Sequence, residues 1–148
     1  MQDDVETIAA ATDMLAEAKL TPELRNEALY FRAKAYLNQQ ADKKAMNDLQ
    51  ALAKDTRTLY GAEAKYLVAL QLYKAHEYAA AEKEILNFIE QSTPHAYWLA
   101  RSFILLSDVY VAMDKKLDAR QYLLSLQQNY HADDDIEQMI NERLEKLK

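Results

Sequence analysis

Cysteine is absent from the 148 residues, so the chain can form no disulfide, thiolate metal site or cysteine nucleophile. There is one glycine, Gly61, and there are two prolines, Pro22 and Pro94. So few breakers exclude a turn-rich β protein, because tight turns draw on both residues. No apolar run is long: Tyr66-Leu67-Val68-Ala69-Leu70 falls far short of the ~20 residues that span a bilayer. The start, Met1-Gln2-Asp3-Asp4, lacks the basic and apolar regions of a signal peptide, although a signal could have been removed from a longer parent. Basic charge is also short. The net charge of −6 argues against nucleic acid, whose phosphates call for clustered Lys and Arg, and against an anionic membrane surface. Neither the composition nor the missing cysteine separates cytoplasm from periplasm.

What is present is helix-forming. Half the residues are hydrophobic, enough for a core, and Leu, Ala, Glu, Lys and Gln, good helix formers, fill most positions. The fold class expected is all-α in one domain, 1–148. Apolar residues recurring at three and four predict a first helix over 3–19, carrying Val5, Ile8 and Leu15. Thr21-Pro22 reads as cap and first turn of a second helix reaching Asn38. A third helix reaches Lys54, a fourth runs from after Thr58 to Ala75, and a fifth covers 78–91. Thr93-Pro94 repeats the cap-plus-proline start for a sixth helix reaching Met113. It is apolar on nearly all sides, as a helix buried among several neighbours is. A seventh covers 116–130. The last, 133–147, begins on Asp133-Asp134-Asp135 and carries one apolar stripe, Ile136, Met139, Ile140, Leu144 and Leu147, opposite a polar side, as an end cap does.

The helices repeat. Ala45, Ala81 and Ala119 each stand nine residues after Tyr36, Leu72 and Tyr110, which in turn follow Ala33, Ala69 and Ser107 by three. Leu49, Ile85 and Leu123 come four residues after the alanines; Leu52, Phe88 and Leu126 come seven after. Small residues let paired helices approach, and large ones at fixed offsets fill the space to the next pair. Helical hairpins of this kind bury their apolar surface only by stacking.

This pattern resembles the tetratricopeptide repeat family, whose hairpins carry a small residue, a tyrosine, an alanine and a large apolar residue in that order, with a proline near the end. Leu72 departs from the tyrosine, the hairpin turns lack glycine, and the spacings of 36 and 38 exceed the family's usual 34. The resemblance implies an α-α superhelix of three hairpins, 21–55, 58–91 and 94–130, with a capping helix over 133–148. Residues 1–20 then read as half a repeat, with Ala9 in the alanine register, or as an N-terminal capping helix; both stay open. Val5, Ile8 and Met14 would mediate self-association if that end lacks a neighbour, giving a possible homo-oligomer through the N-terminal helix.

Chemistry is hard to find. His76, His95 and His131 are too scattered for a helical metal pair, and the aspartate run lacks the glycine and alternation of a calcium loop. Ser102, Ser107 and Ser125 have no nearby histidine. No catalytic, metal or cofactor residues are assigned, and no enzyme is expected. The surplus is tyrosine, ten in all. Tyr36, Tyr110 and Tyr122 are expected in the core. The first-helix positions lining the family's concave groove fall on Glu27, Tyr30, Lys34, Leu37 and Asn38, then Glu63, Tyr66, Leu70, Tyr73 and Lys74, then Arg101, Ile104, Asp108, Val111 and Ala112. A tyrosine-rich surface flanked by Lys34 and Lys74 suits a protein or peptide bearing apolar and acidic residues; the competing expectation is that a tight superhelix, or the last helix folding inward, covers these side chains. The family's carboxylate clamp is not expected, because Tyr30, Tyr66, Leu70 and Asp108 stand where it needs Lys and Asn. The function expected is a non-catalytic protein–protein interaction module. The alternative is a structural, self-associating segment of a larger bacterial envelope or cytoplasmic scaffold.

Overall fold

The computed structural model describes residues 2–148. Met1, with which the expected half repeat begins, lies outside the described residues. Among these there are eight helices and no strand: α1 (Gln2–Leu15), α2 (Pro22–Asn38), α3 (Asp42–Leu52), α4 (Leu59–Lys74), α5 (Tyr78–Glu90), α6 (Ala96–Ala112), α7 (Lys116–Asn129) and α8 (Ile136–Lys146). No helix is long and apolar enough to cross a membrane.

The starts follow local chemistry. Thr21 caps α2 by accepting from the Leu24 N–H at 3.2 Å, with Pro22 in the first turn. Thr58 caps α4 by accepting from the Gly61 N–H at 3.0 Å. Three sequence expectations need correction. Helix α1 stops at Leu15 rather than 19: the stretch Glu17-Ala18-Lys19 favours helix but is exposed, and without an apolar face to bury a short extension gains too little. Thr93 is not the cap of α6, whose cap position is His95. The Thr93 hydroxyl donates to the Thr56 carbonyl at 2.6 Å, tying the start of α6 to the turn before α4. The aspartate triple precedes α8 rather than opening it, and Asp134 accepts from the Ile136 N–H at 3.0 Å.

The turns inside the three hairpins are alike. Gln40, His76 and Asp114 each adopt a left-handed φ near 60°. The N–H of the next residue reaches back to the Tyr36, Leu72 or Tyr110 carbonyl at 2.7–2.9 Å, closing the helix with a Schellman motif. Each left-handed residue stands five before Ala45, Ala81 or Ala119. Those alanines are fully buried, as are Ala33, Ala69, Ser107, Leu49, Ile85, Leu123 and Phe88. Each fully buried Leu, Ile or Phe contributes roughly 1.5–3 kcal/mol. Tyr110 is buried as expected, whereas Tyr36 and Tyr122 are only half-buried.

Every helix packs on its predecessor in the pairs α1–α2 through α7–α8, and α2, α4, α6 and α8 also pack on one another in that order. Thus α4 is enclosed by α2, α3, α5 and α6, which explains a helix buried continuously from Gly61 to Ala69. Helix α8 packs on α6 and α7 as α6 packs on α4 and α5, so the cap occupies the next place in the row. Charged pairs hold the hairpins: Arg32 grips Asp48 at 2.7 and 2.8 Å between α2 and α3, and the buried Lys65 meets Glu84 at 2.7 Å and Asn87 at 2.8 Å between α4 and α5.

Candidate protein-binding site

The expected groove residues lie along α2, α4 and α6. Most of their polar groups are used to bind one row helix to the next. Tyr30 of α2 stacks on Tyr60 of α4, ring centroids 4.3 Å apart, and its hydroxyl donates to the Glu63 carboxylate at 3.0 and 3.1 Å. Lys34 reaches the same carboxylate at 3.1 Å. Burial, with the Glu63 charge and hydrogen bond behind it, pushes the Tyr30 pKa up to about 12. Glu63, expected in an open groove, is buried instead.

One step on, the pattern recurs. Tyr66 of α4 packs on Trp98 of α6 with centroids 5.6 Å apart and accepts from Arg101 at 3.3 Å. Arg101 also donates to Tyr97 at 3.0 Å and reaches Asp135, ahead of α8, at 3.4 Å. Its guanidinium lies 5.2 Å from the centre of the Tyr66 ring. Tyr66, expected as an exposed anchor, is therefore a buried packing residue. The last step is Asp108 of α6, held in a fork by Arg143 of α8 at 2.9 and 3.0 Å. Tyrosines at one position of successive helices do lie along a row, but the next helix covers them.

The remaining expected residues divide. Glu27 and Lys74 are exposed; Asn38 is exposed and donates to Asp4 at 3.3 Å. Leu70 and Lys74 line a shallow cleft with Leu37 and Leu67. Tyr73, half-buried and 5.8 Å from Tyr78 between ring centroids, faces an open cleft. This is a cleft of about 490 Å³ between α4, α6, the start of α7 and α8, lined by Tyr73, Ser107, Asp108, Val111, Lys116, Glu142, Arg143, Lys146 and Leu147. Burial raises the Tyr73 pKa first, Asp108 and Tyr78 add to it, and Arg143 acts against them, so the phenol stays a neutral donor.

Three features give the cleft its chemistry. The Ser107 hydroxyl is buried on its wall without a hydrogen-bond partner. Arg143 is committed to Asp108, whereas no ion pair engages Lys116 or Lys146 among the described residues. Val111 and Leu147 supply apolar surface. The cleft thus offers two free cations, the Tyr73 hydroxyl and an apolar patch, a set that matches a carboxylate beside an apolar side chain. Sequence reading named Tyr73, Asp108 and Val111 but missed Lys116, Arg143 and Lys146, since their approach depends on where α8 docks.

Two histidines keep to local partners, His76 to the Tyr78 hydroxyl at 2.6 Å and His131 to the Gln128 carbonyl at 3.0 Å, and His95 reaches across to the Arg57 carbonyl at 2.9 Å. Among the described residues no three His, Cys, Asp or Glu side chains are placed to hold a metal ion. No family model, no curated protein and no solved structure matches the chain.

Proposed function

We propose that this protein is a non-catalytic protein-interaction module, a helical solenoid of the tetratricopeptide type, that holds a partner segment carrying acidic and apolar side chains. The solenoid reading is supported by the repeated turn geometry, by the buried alanines, and by the row α2–α4–α6–α8. One observation carries the binding reading. The cleft under α8 holds two lysines without ion-pair partners among the described residues, with the Tyr73 hydroxyl and an apolar patch beside them. A carboxylate between these lysines gains charge-assisted hydrogen bonds, and the apolar patch covers a neighbouring side chain. The binding residues in this reading are Tyr73, Val111, Lys116 and Lys146, rather than the closed Tyr30–Glu63 and Tyr66–Arg101 pairs.

Selection of a random peptide library on the immobilised protein tests it. Peptides pairing Asp or Glu with a large apolar residue should be enriched. Their affinity should fall about tenfold or more in a Lys116→Glu, Lys146→Glu double variant. No enrichment, or enriched peptides that bind this folded variant as well as the original, would refute the site.

A further inference from the structure

The internal repeat shows how each row helix receives the one before it, and which receiving face lacks its helix. In α4 the receiving residues are Tyr60, Glu63 and Leu67. Tyr60 stacks on the Tyr30 ring, Glu63 accepts from Tyr30 and Lys34, and Leu67 is buried at 9% exposure. In α6, 38 residues on, they are Trp98, Arg101 and Leu105: Trp98 packs on Tyr66, Arg101 bonds its hydroxyl, and Leu105 is buried. Counting back 36 residues from α4 gives Leu24, Glu27 and Phe31 of α2. Leu24 is 41% and Phe31 47% exposed, and Glu27 is exposed with no hydrogen bond or ion pair among the described residues.

Helix α1 shows the matching deficit. Helices α3 and α5 each pack on the row helix before and the row helix after, whereas α1 packs on α2 alone. Its Val5 is 53% exposed and Ala9 is exposed, although Ala45, Ala81 and Ala119 in the same register are fully buried. Val5 and Ala9 stand one turn apart on one side of α1. The same single helix is therefore missing from both: it would lie against α1 as α2 lies against α3, and against α2 as α2 lies against α4.

We propose that α1 and α2 form a receptor face for one amphipathic partner helix bearing a tyrosine and, four residues on, a lysine. Glu27 takes the role that Glu63 plays toward Tyr30 and Lys34, Leu24 lies under the tyrosine ring, and Phe31, Val5 and Ala9 cover the helix's apolar stripe. Glu27, unlike Arg101, is an acceptor only, so a donor pair is required. A second copy of this chain does not supply it. Its tyrosines with a basic residue four on are Tyr30–Lys34 and Tyr97–Arg101, and both pairs are already engaged inside the fold. This face is separate from the cleft under α8 and does not depend on it.

The probe is a capped, fluorescently labelled peptide with the sequence of residues 21–39, the helix that fills the equivalent place on α3 and α4. Its anisotropy should rise saturably with added protein. Glu27→Lys should weaken binding about tenfold or more, as should a probe carrying the changes Y30F and K34A. Hydrogen exchange should show new protection confined to α1 and α2. Phe31→Asp should abolish binding; if that variant loses its helical circular dichroism, Glu27→Lys and the exchange map decide alone. Absence of saturable binding overturns the proposal. So does binding that Glu63→Gln weakens and Glu27→Lys does not, since the probe is then exchanging with the chain's own α2. Dimerisation of the protein by light scattering that Phe31→Asp removes would make a second copy the occupant and overturn the assignment as well.

Discussion

Replacing Gly61 with alanine sets two rules against each other, and their sum has a sign. Gly61 lies in the first turn of α4 with an ordinary negative φ. By helix propensity the change gains about 1 kcal/mol. The structure opposes it. A Cβ at Gly61 would stand 1.9 Å from the Asp55 carbonyl oxygen and 2.7 Å from the Thr58 hydroxyl. The first distance is about 1.1 Å short of the 3.0 Å that real Cβ atoms keep. The obstacle is backbone, held by a Thr58 hydroxyl that donates to the Asp55 carbonyl at 3.0 Å while accepting from the Gly61 N–H. The turn 55–58 must therefore move, and it carries the α4 cap with it. Losing the cap costs ~0.5–2 kcal/mol and the steric displacement ~1–3 kcal/mol. After the propensity gain, a net loss of about 0.5–4 kcal/mol remains. For a chain of this size that lowers Tm by roughly 1–16 °C. Thermal unfolding followed by circular dichroism measures it, with Thr58→Ala and the double variant completing a cycle. The two changes damage one cap, so together they should cost less than their separate effects combined. An unchanged or raised Tm for Gly61→Ala would show that the 55–58 turn is not held as described.

Ala81→Leu should cost ~1–3 kcal/mol by overpacking a fully buried site between helices, and an unchanged urea midpoint would contradict that contact. Gln40 adopts a φ of 60° that glycine accepts without strain, so Gln40→Gly should stabilise by about 0.5–1 kcal/mol, whereas the same change at the helical Gln50 should destabilise. The folded state favours neutral Tyr30. That contribution is complete below the unfolded pKa near 10 and is lost as pH rises toward about 12. Chemical denaturation at pH 9 and pH 11 should show stability falling, and falling less in Tyr30→Phe; an equal fall in both would assign the alkaline loss elsewhere.

The places where reading by residue failed share a cause. Tyr30, Tyr66 and Tyr73 occupy comparable places in the sequence, yet Tyr66 is buried under Trp98 and Arg101 while Tyr73 faces a cleft. Which tyrosine is covered depends on the neighbouring helix, some 35 residues away, and local periodicity carries no information about it. The same holds for Glu63 and Lys34, which read as groove charges until the helices close and pair them. Thr93-Pro94 repeats the letters of Thr21-Pro22, but α6 starts two residues later: the Thr93 hydroxyl accepts from the His95 N–H at 3.2 Å while donating to the Thr56 carbonyl, a contact 37 residues away.

The sequence by itself determined an all-α chain, the approximate run of each helix and the repeated alanines and large apolar residues that lie buried between helices. Those properties follow from a period of 3.6 within each helix and a recurring alanine between them, and scarce Gly and Pro leave the chain few alternatives. Only the tertiary structure decided which surface stays open. Side-by-side docking spends the groove's tyrosines and charges on bonds between helices, brings Lys116 and Lys146 to one cleft by seating α8 on α6 and α7, and leaves the Leu24–Glu27–Phe31 face of α2 without the helix that its equivalents hold. The reason is physical: a side chain's type sets what it can bond, whereas its freedom to bond a partner depends on what the fold has already placed against it.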